Sequence, residues 1–136
     1  MNRVSIVLDR NLSAGQACNV SAIVMGQLAR LESALYSDGL LKDGSGVSHA
    51  SIQCSTVVLK AKGSVQLYNF VDGIKGDPNI RCIVFTSFGQ SLHNSPLEYE
   101  GGISGSLAGE HSIVGVVVFG EHNHVLNLTK KFSVFA

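Results

Sequence analysis

Residues 4–8 read VSIVL, residues 9–12 read DRNL, and residues 13–19 read SAGQACN. The first run is short, apolar and rich in β-branched side chains, and polar residues bound it. That is the pattern of a buried strand. Ser13 then reads as a helix N-cap, and Gln16, three residues on, completes a capping box. Behind the cap, Ala17, Val20, Val24, Leu28, Leu31 and Leu35 recur at spacings of three and four, which predicts one apolar stripe along a helix. Gly26 weakens this helix without ending it. A buried strand that runs into a capped, amphipathic helix is the opening of an α/β unit.

Working outward, residues 37–48 (SDGLLKDGSGVS) hold no period and read as a loop. Residues 52–59 (IQCSTVVL) predict the next strand. Ser64 reads as the cap of a second helix with the stripe Val65, Tyr68, Val71 and Ile74, ended by Gly76-Asp77-Pro78. Residues 80–86 (IRCIVFT) are a third strand. In 88–109, Leu92, Pro96, Tyr99, Ile103 and Leu107 keep a loose helical spacing that Pro96 and several glycines interrupt. Residues 113–119 (IVGVVVF) are almost wholly apolar, as in a central strand covered on both faces. A short helix or turn at 121–130 and an edge strand at 132–135 (FSVF) complete the chain. This alternation predicts an α/β fold: a three-layer α/β/α sandwich around a mostly parallel, mixed sheet of four to five strands. With no linker and no internal repeat, residues 1–136 read as a single domain.

The chain has 136 residues, of which 45% are hydrophobic and 15% charged, a composition that excludes a disordered chain. Lys plus Arg number 10 and Asp plus Glu number 10, so the formal net charge is +0. No global positive field is available, and nucleic acid is not an expected partner by charge. No run approaches the ~18 apolar residues of a membrane span, and no secretory leader is read at the start, so a cytoplasmic location without a membrane is the expectation. Cys18, Cys54 and Cys82 lie in apolar segments without metal or redox spacing and read as small buried hydrophobes.

Ligands of open α/β sheets bind beyond the carboxyl ends of the strands. On the predicted topology those ends are Asp9-Arg10-Asn11, Lys60-Ala61-Lys62-Gly63, Thr86-Ser87-Phe88-Gly89-Gln90 and Gly120-Glu121-His122. The start of the first helix, Ser13 to Asn19, faces the same edge, and its free N–H groups favour an anion or polar oxygen. Capping alone also accounts for Ser13 and Gln16. Asn19 sits among the small residues Ala17, Cys18, Ser21 and Ala22, where a buried amide needs a partner from backbone, side chain or ligand. Glu121, His122 and His124, with His111 near in sequence, offer metal-ligand types. A His-x-His pair needs extended backbone to share a face, however, and a turn is read here, so no metal is expected. The run 101–109 (GGISGSLAG) lacks both a preceding strand and a Lys-Ser/Thr, so no phosphate-binding loop and no cofactor is expected. Cys18 near a helix N-terminus lacks an identifiable His partner for nucleophilic work.

Residues 4–19, His49, Phe85-Thr86, Tyr99 and residues 115–134 (GVVVFGEHNHVLNLTKKFSV) resemble a domain-of-unknown-function family, number two thousand, across nearly the whole chain. The resemblance implies the fold of type II peptidyl-tRNA hydrolases. It rests on the order strand, glycine-led helix, strand, helix, strand, helix, strand, and on a Thr-Lys turn into a last strand. Those hydrolases open the first helix with Gly-Lys, follow it with a Gln and a His, and place an Asp in a loop after the third strand. Here Gly15 precedes Gln16 rather than a lysine, Asn19 lies near the glutamine's place, residues 20–25 hold no histidine, and residues 86–90 (TSFGQ) hold no carboxylate. General acid–base groups contribute roughly 10²–10⁴ in rate, so the resemblance does not carry the activity across.

The reading that follows is a non-hydrolytic module for a small neutral ligand, a nucleotide base or a peptide amide, with Gln16, Asn19, Thr86, Ser87 and Asn127 as its lining. The alternatives are a divergent hydrolase, in which His49, Lys60 or Lys62 replaces the missing groups in space, and a homodimer formed through the edge strand at 132–135.

Overall fold

The computed structural model describes residues 1–92, 95–107 and 109–136. In chain order the elements are β1 (Asn2–Asp9), α1 (Ala14–Leu31), a 3-10 turn (Ser33–Leu35), β2 (Leu41–Lys42), β3 (Ser48–His49), β4 (Ser55–Ala61), α2 (Ser64–Ile74), β5 (Arg81–Thr86), α3 (Ser87–Ser91), α4 (Pro96–Ser104), β6 (Ile113–Glu121), α5 (His122–Thr129) and β7 (Ser133–Val134). β1, β4, β5, β6 and β7 form a five-stranded sheet in the order β5-β6-β1-β4-β7, and β2 and β3 form a separate hairpin.

The α/β class and the helices on both faces are as the sequence predicts, but the sheet is not mostly parallel. Among the described residues only β1 and β4 pair in parallel, while β6 runs against both β1 and β5, and β7 runs against β4. The wholly apolar β6 is central and buried, as its composition implies. Burial on both faces demands apolar residues whichever way the strand runs, so composition carried no information on direction. The α3–α4 connection returns the chain to the edge it has just reached and is not a crossover.

Alternation along β1 divides the core. Val4, Ile6 and Leu8 face α1, together with Val117 and Phe85. Val7 faces α2 and α5, together with Val116, Val118, Leu67, Phe70 and Val125. α1 begins at the expected capping box, in which Ser13 Oγ accepts the Gln16 N–H and Gln16 Oε1 accepts the Ser13 N–H. It buries Ala17, Val20, Val24 and Leu28; Leu31 ends the helix exposed, and Leu35 returns to the core from the 3-10 turn. Cys18 is exposed rather than buried because it lies off this stripe, while Cys54 and Cys82 are partly buried.

α2 keeps part of its expected stripe, with Ile74 buried and Tyr68 and Val71 partly buried. It buries Leu67, Phe70 and Ile74, and Val65 is 73% exposed. Ser64 is its first helical residue and makes no capping bond, and Gln66 Oε1 instead accepts the Lys62 N–H at 2.7 Å. On this face a polar pair is sealed in. Thr129 Oγ1 donates to the Val125 carbonyl at 2.8 Å and lies 3.3 Å from Ser5 Oγ, which leaves Ser5 as the donor between the two. Residues 37–48 are not structureless, for they contain β2 and reach β3, yet residues 36–50 are exposed throughout. Among the described residues no helix is long and apolar enough to cross a membrane.

Candidate functional site

The strand directions fix where a site can lie. β1, β4 and β5 end at one edge of the sheet, and β6 starts there. Gly120-Glu121-His122 therefore lies at the opposite edge, a correction that follows from the reversal of β6. At the shared edge the first half of α1 stands beside α3, and a cleft of about 530 Å³ opens between them. Its wall on α1 is Gly15, Gln16, Asn19 and Ile23; Phe85 forms the floor, and Gly89, Gln90 and Leu92 form the far wall. A further hollow of about 280 Å³ shares Ile23, Phe85, Gly89 and Leu92 and extends the cleft to Pro96 and Tyr99.

Close packing of glycine on aromatic rings shapes this edge. A Cβ on Gly89 would lie 2.5 Å from Phe85 Cε1, so only glycine lets α3 rest on that ring. Gly102 of α4 presses on the Phe88 ring in the same way. Phe88 stacks on Tyr99 at 6.0 Å between centroids and on His111 at 4.7 Å, which ties α4 and the approach to β6 onto α3. Burial pushes the Tyr99 phenol above its ordinary pKa, so it remains a neutral hydroxyl.

The polar groups of the cleft are the amides of Gln16, Asn19 and Gln90. Gln16 spends Oε1 on the helix cap, which leaves its amide nitrogen unbonded among the described residues. Asn19 is solvent-exposed, not packed among small neighbours, because Ala17 and Val20 take the inward positions of α1. Its amide needs no structural partner and is turned toward the cleft. Gln90 was missed by sequence reasoning. It follows Gly89 in a stretch without a period, and only the strand-end position after Thr86 pointed to it. Among the described residues no charged side chain lines the cleft.

The other sequence-predicted residues do not join this site. Thr86 is buried on the face of α2, where it lines a separate opening with Tyr68 and Val71. Ser87 is exposed at the start of α3, where its N–H donates to the Ser112 carbonyl at 2.8 Å. Asn127 is exposed on α5, the helix on the face opposite α1. His49 pairs with Asp43 at 2.8 Å in the β2–β3 hairpin, and neither Lys60 nor Lys62 lines the cleft. Glu121 caps α5 by accepting the Asn123 and His124 N–H groups, and these bonds hold its carboxyl below the usual range. His124 hydrogen-bonds Asp77 at 2.7 Å, so Glu121 and His124 are spent on helix capping and on this bond, while the buried Nδ1 of His122 has no hydrogen-bond partner among the described residues. Among the described residues no group of three or more His, Cys, Asp or Glu side chains could hold a metal.

Fold and cleft together define a layered, mixed α/β protein with a cleft at one sheet edge that amides and apolar side chains line. The chain belongs to the DUF2000 family, proteins of unknown function, whose model matches residues 2–136. It is similar in fold to a solved structure of a protein of unknown function from Agrobacterium tumefaciens strain C58. The TM-score is 0.84 at 15% identity, over 99% of this chain and 98% of that one. No curated protein matches the chain.

Proposed function

We propose that the cleft between α1 and α3 binds a small uncharged molecule that carries amide-like donors and acceptors on a flat apolar body, such as a nucleobase or a peptide amide, without cleaving it. The observation that carries this reading is the lining itself: Gln16, Asn19 and Gln90 amides above Ile23, Phe85 and Leu92, with no charge among them. Amides supply both donors and acceptors, so they select a ligand by its hydrogen-bonding edge and not by its charge. A type II peptidyl-tRNA hydrolase-like scaffold is part of the same reading. It is supported by the element order around β1, α1, β4, α2, β5 and β6 and by the Thr129-Lys130 turn into β7.

The test is equilibrium binding of a panel of nucleosides and N-acetylated amino-acid amides to the parent chain and to Asn19→Ala. One lost hydrogen bond of about 0.5–1.5 kcal/mol weakens binding roughly 2- to 12-fold. Because Asn19 is exposed, the melting temperature is expected to stay within about 1–2 °C, as for a surface substitution. A fall in melting temperature with unchanged affinity would sink the proposal. Single-turnover hydrolysis of N-blocked aminoacyl-tRNA at low salt separates the hydrolase reading, since cleavage that survives repurification would mean catalytic groups lie elsewhere. Self-association is the remaining reading, supported by the short edge strand β7, whose Val134 is 64% exposed. A monomer in sedimentation at high micromolar concentration would exclude it.

A further inference from the structure

The sheet face opposite the cleft carries a second opening that the proposed function does not use. It lies between α2, the upper ends of β5 and β6, and the side chains of Ile103, Leu107 and His111, with a volume of about 230 Å³. It widens into a shallower trough of about 590 Å³ beside Ser64 and Val65. Its walls include Tyr68, Val71, Val84, Ile103 and Ile113. Gly109, at φ +93°, turns the roof back toward Tyr68, and a Cβ there would sit 3.5 Å from the ring. Thr86 also lines this opening. It is 7% exposed, and its Oγ1 has no hydrogen-bond partner among the described residues. Hydroxyls so deeply buried are ordinarily bonded, so an orphan beside a hole points to a missing partner.

We propose that this opening is a second ligand site, which takes a small uncharged hydroxy-aromatic molecule, in the simplest case a phenol, with its ring against Tyr68 and Val84 and its hydroxyl paired with Thr86 Oγ1. An apolar cavity of about 150 Å³ holds benzene, so the larger volume here accepts one ring with a short substituent. Tyr68 favours a ring over an aliphatic chain. Among the described residues Asp72 and Lys75 at the rim are paired at 2.9 Å and offset each other, His111 lines the opening beside them, and Glu110 lines the adjoining trough. A carboxylate ligand would have to break that pair, whereas a neutral one leaves it intact. The site is separate from the cleft because Phe85 and Thr86, adjacent on β5, point to opposite faces.

The experiment titrates the intact chain with 4-methylphenol and with toluene, which differ by one hydroxyl, and follows the Val, Ile and Thr methyl signals. The expected result is movement at Val84, Ile103 and Ile113, with 4-methylphenol bound about 5-fold more tightly, the equivalent of one hydrogen bond. In Thr86→Val both probes still bind, the preference disappears, and the melting temperature does not fall. Ile103→Phe, at a wall position that is 37% exposed and so tolerant of a larger side chain, fills the opening and abolishes binding of both. The proposal is overturned by an absence of shifts, by shifts confined to Ile23 and its neighbours in the cleft, by a preference that persists in Thr86→Val, or by unchanged binding in Ile103→Phe.

Discussion

Gly115→Ala is the substitution that most sharply tests how α1 is seated, and with it the position of Gln16 and Asn19. Gly115 lies in β6, paired with Leu8 of β1 and Phe85 of β5. A Cβ there would lie 2.5 Å from Val20 Cγ1 and 2.9 Å from Leu8 Cδ2. Carbon atoms pack at about 3.5–4.0 Å, so the methyl falls short of its space by about 1 Å against Val20. Val20 and Leu8 are both 0% exposed, so neither has free volume to rotate into, and α1 must lift from the sheet. Overpacking of this kind costs about 1–3 kcal/mol. For a domain of this size each kcal/mol lowers the melting temperature by about 3–4 °C, so the expected drop is roughly 3–12 °C. Calorimetry and urea unfolding followed by circular dichroism measure it. The lifted helix is also expected to weaken ligand binding in the cleft, although Gly115 does not line it. Gly26→Ala, inside α1 with nothing within 4 Å of its Cβ, is the control of opposite sign. It is expected to gain about 0.5–1 kcal/mol from helix propensity. A Gly115→Ala chain as stable as the parent, or a Gly26→Ala chain that is less stable, would refute the packing described.

The same packing leads to three further expected outcomes. Thr129→Val removes the acceptor of the fully buried Ser5 hydroxyl and is expected to cost about 1–3 kcal/mol in urea unfolding, whereas an unchanged midpoint would mean Ser5 is otherwise satisfied. Burial pushes the Cys82 thiol up to about 11 and raises Cys54 as well, while Cys18 is exposed. A thiol reagent at pH 8 is therefore expected to label Cys18 first and Cys82 last, as read by peptide mass spectrometry, and the reverse order would contradict the burial of β5. The Asp77 carboxyl is held below its ordinary 3.8 by the hydrogen bond to His124 and then by the Asn79 N–H. A lowered folded-state pKa contributes stability above the unfolded value, and that stability is lost as pH falls through the folded value. Asp77→Asn is thus expected to flatten the fall of stability below about pH 4. An acid limb identical to the parent's would show that the pair is idle.

The opening strand and helix were legible because three signals agreed there: a β-branched run, a capping box, and a stripe that holds its phase from Ala17 to Leu28. The centrality of β6 was legible from its unbroken apolar run, but its direction was not, and that one reversal removed Glu121 and His122 from the site edge. α2 misled because Val65 is apolar yet exposed, while Leu67 and Phe70, outside the expected stripe, take buried positions. Phe85 and Thr86 are adjacent in sequence yet line different openings, which divides the candidate lining between the two faces of the sheet. Gln90 and the Tyr99–Phe88–His111 stack depend on how α4 folds back over α3, a long-range arrangement that residues 88–109 do not encode in any period. Asn19 lines the cleft, but not as the buried amide that its small neighbours imply, since exposure and not burial makes its amide available.

The most direct measurement is a nitrogen-15 spectrum of the side-chain amides, recorded while the protein is titrated with nucleosides and N-acetylated amino-acid amides. The proposed function requires the NH₂ signals of Gln16, Asn19 and Gln90 to move together, saturating with one affinity, while that of Asn127 on the other face stays still. Saturable binding that moves Asn127 and leaves those three unchanged, or the absence of any movement across the panel, would contradict it.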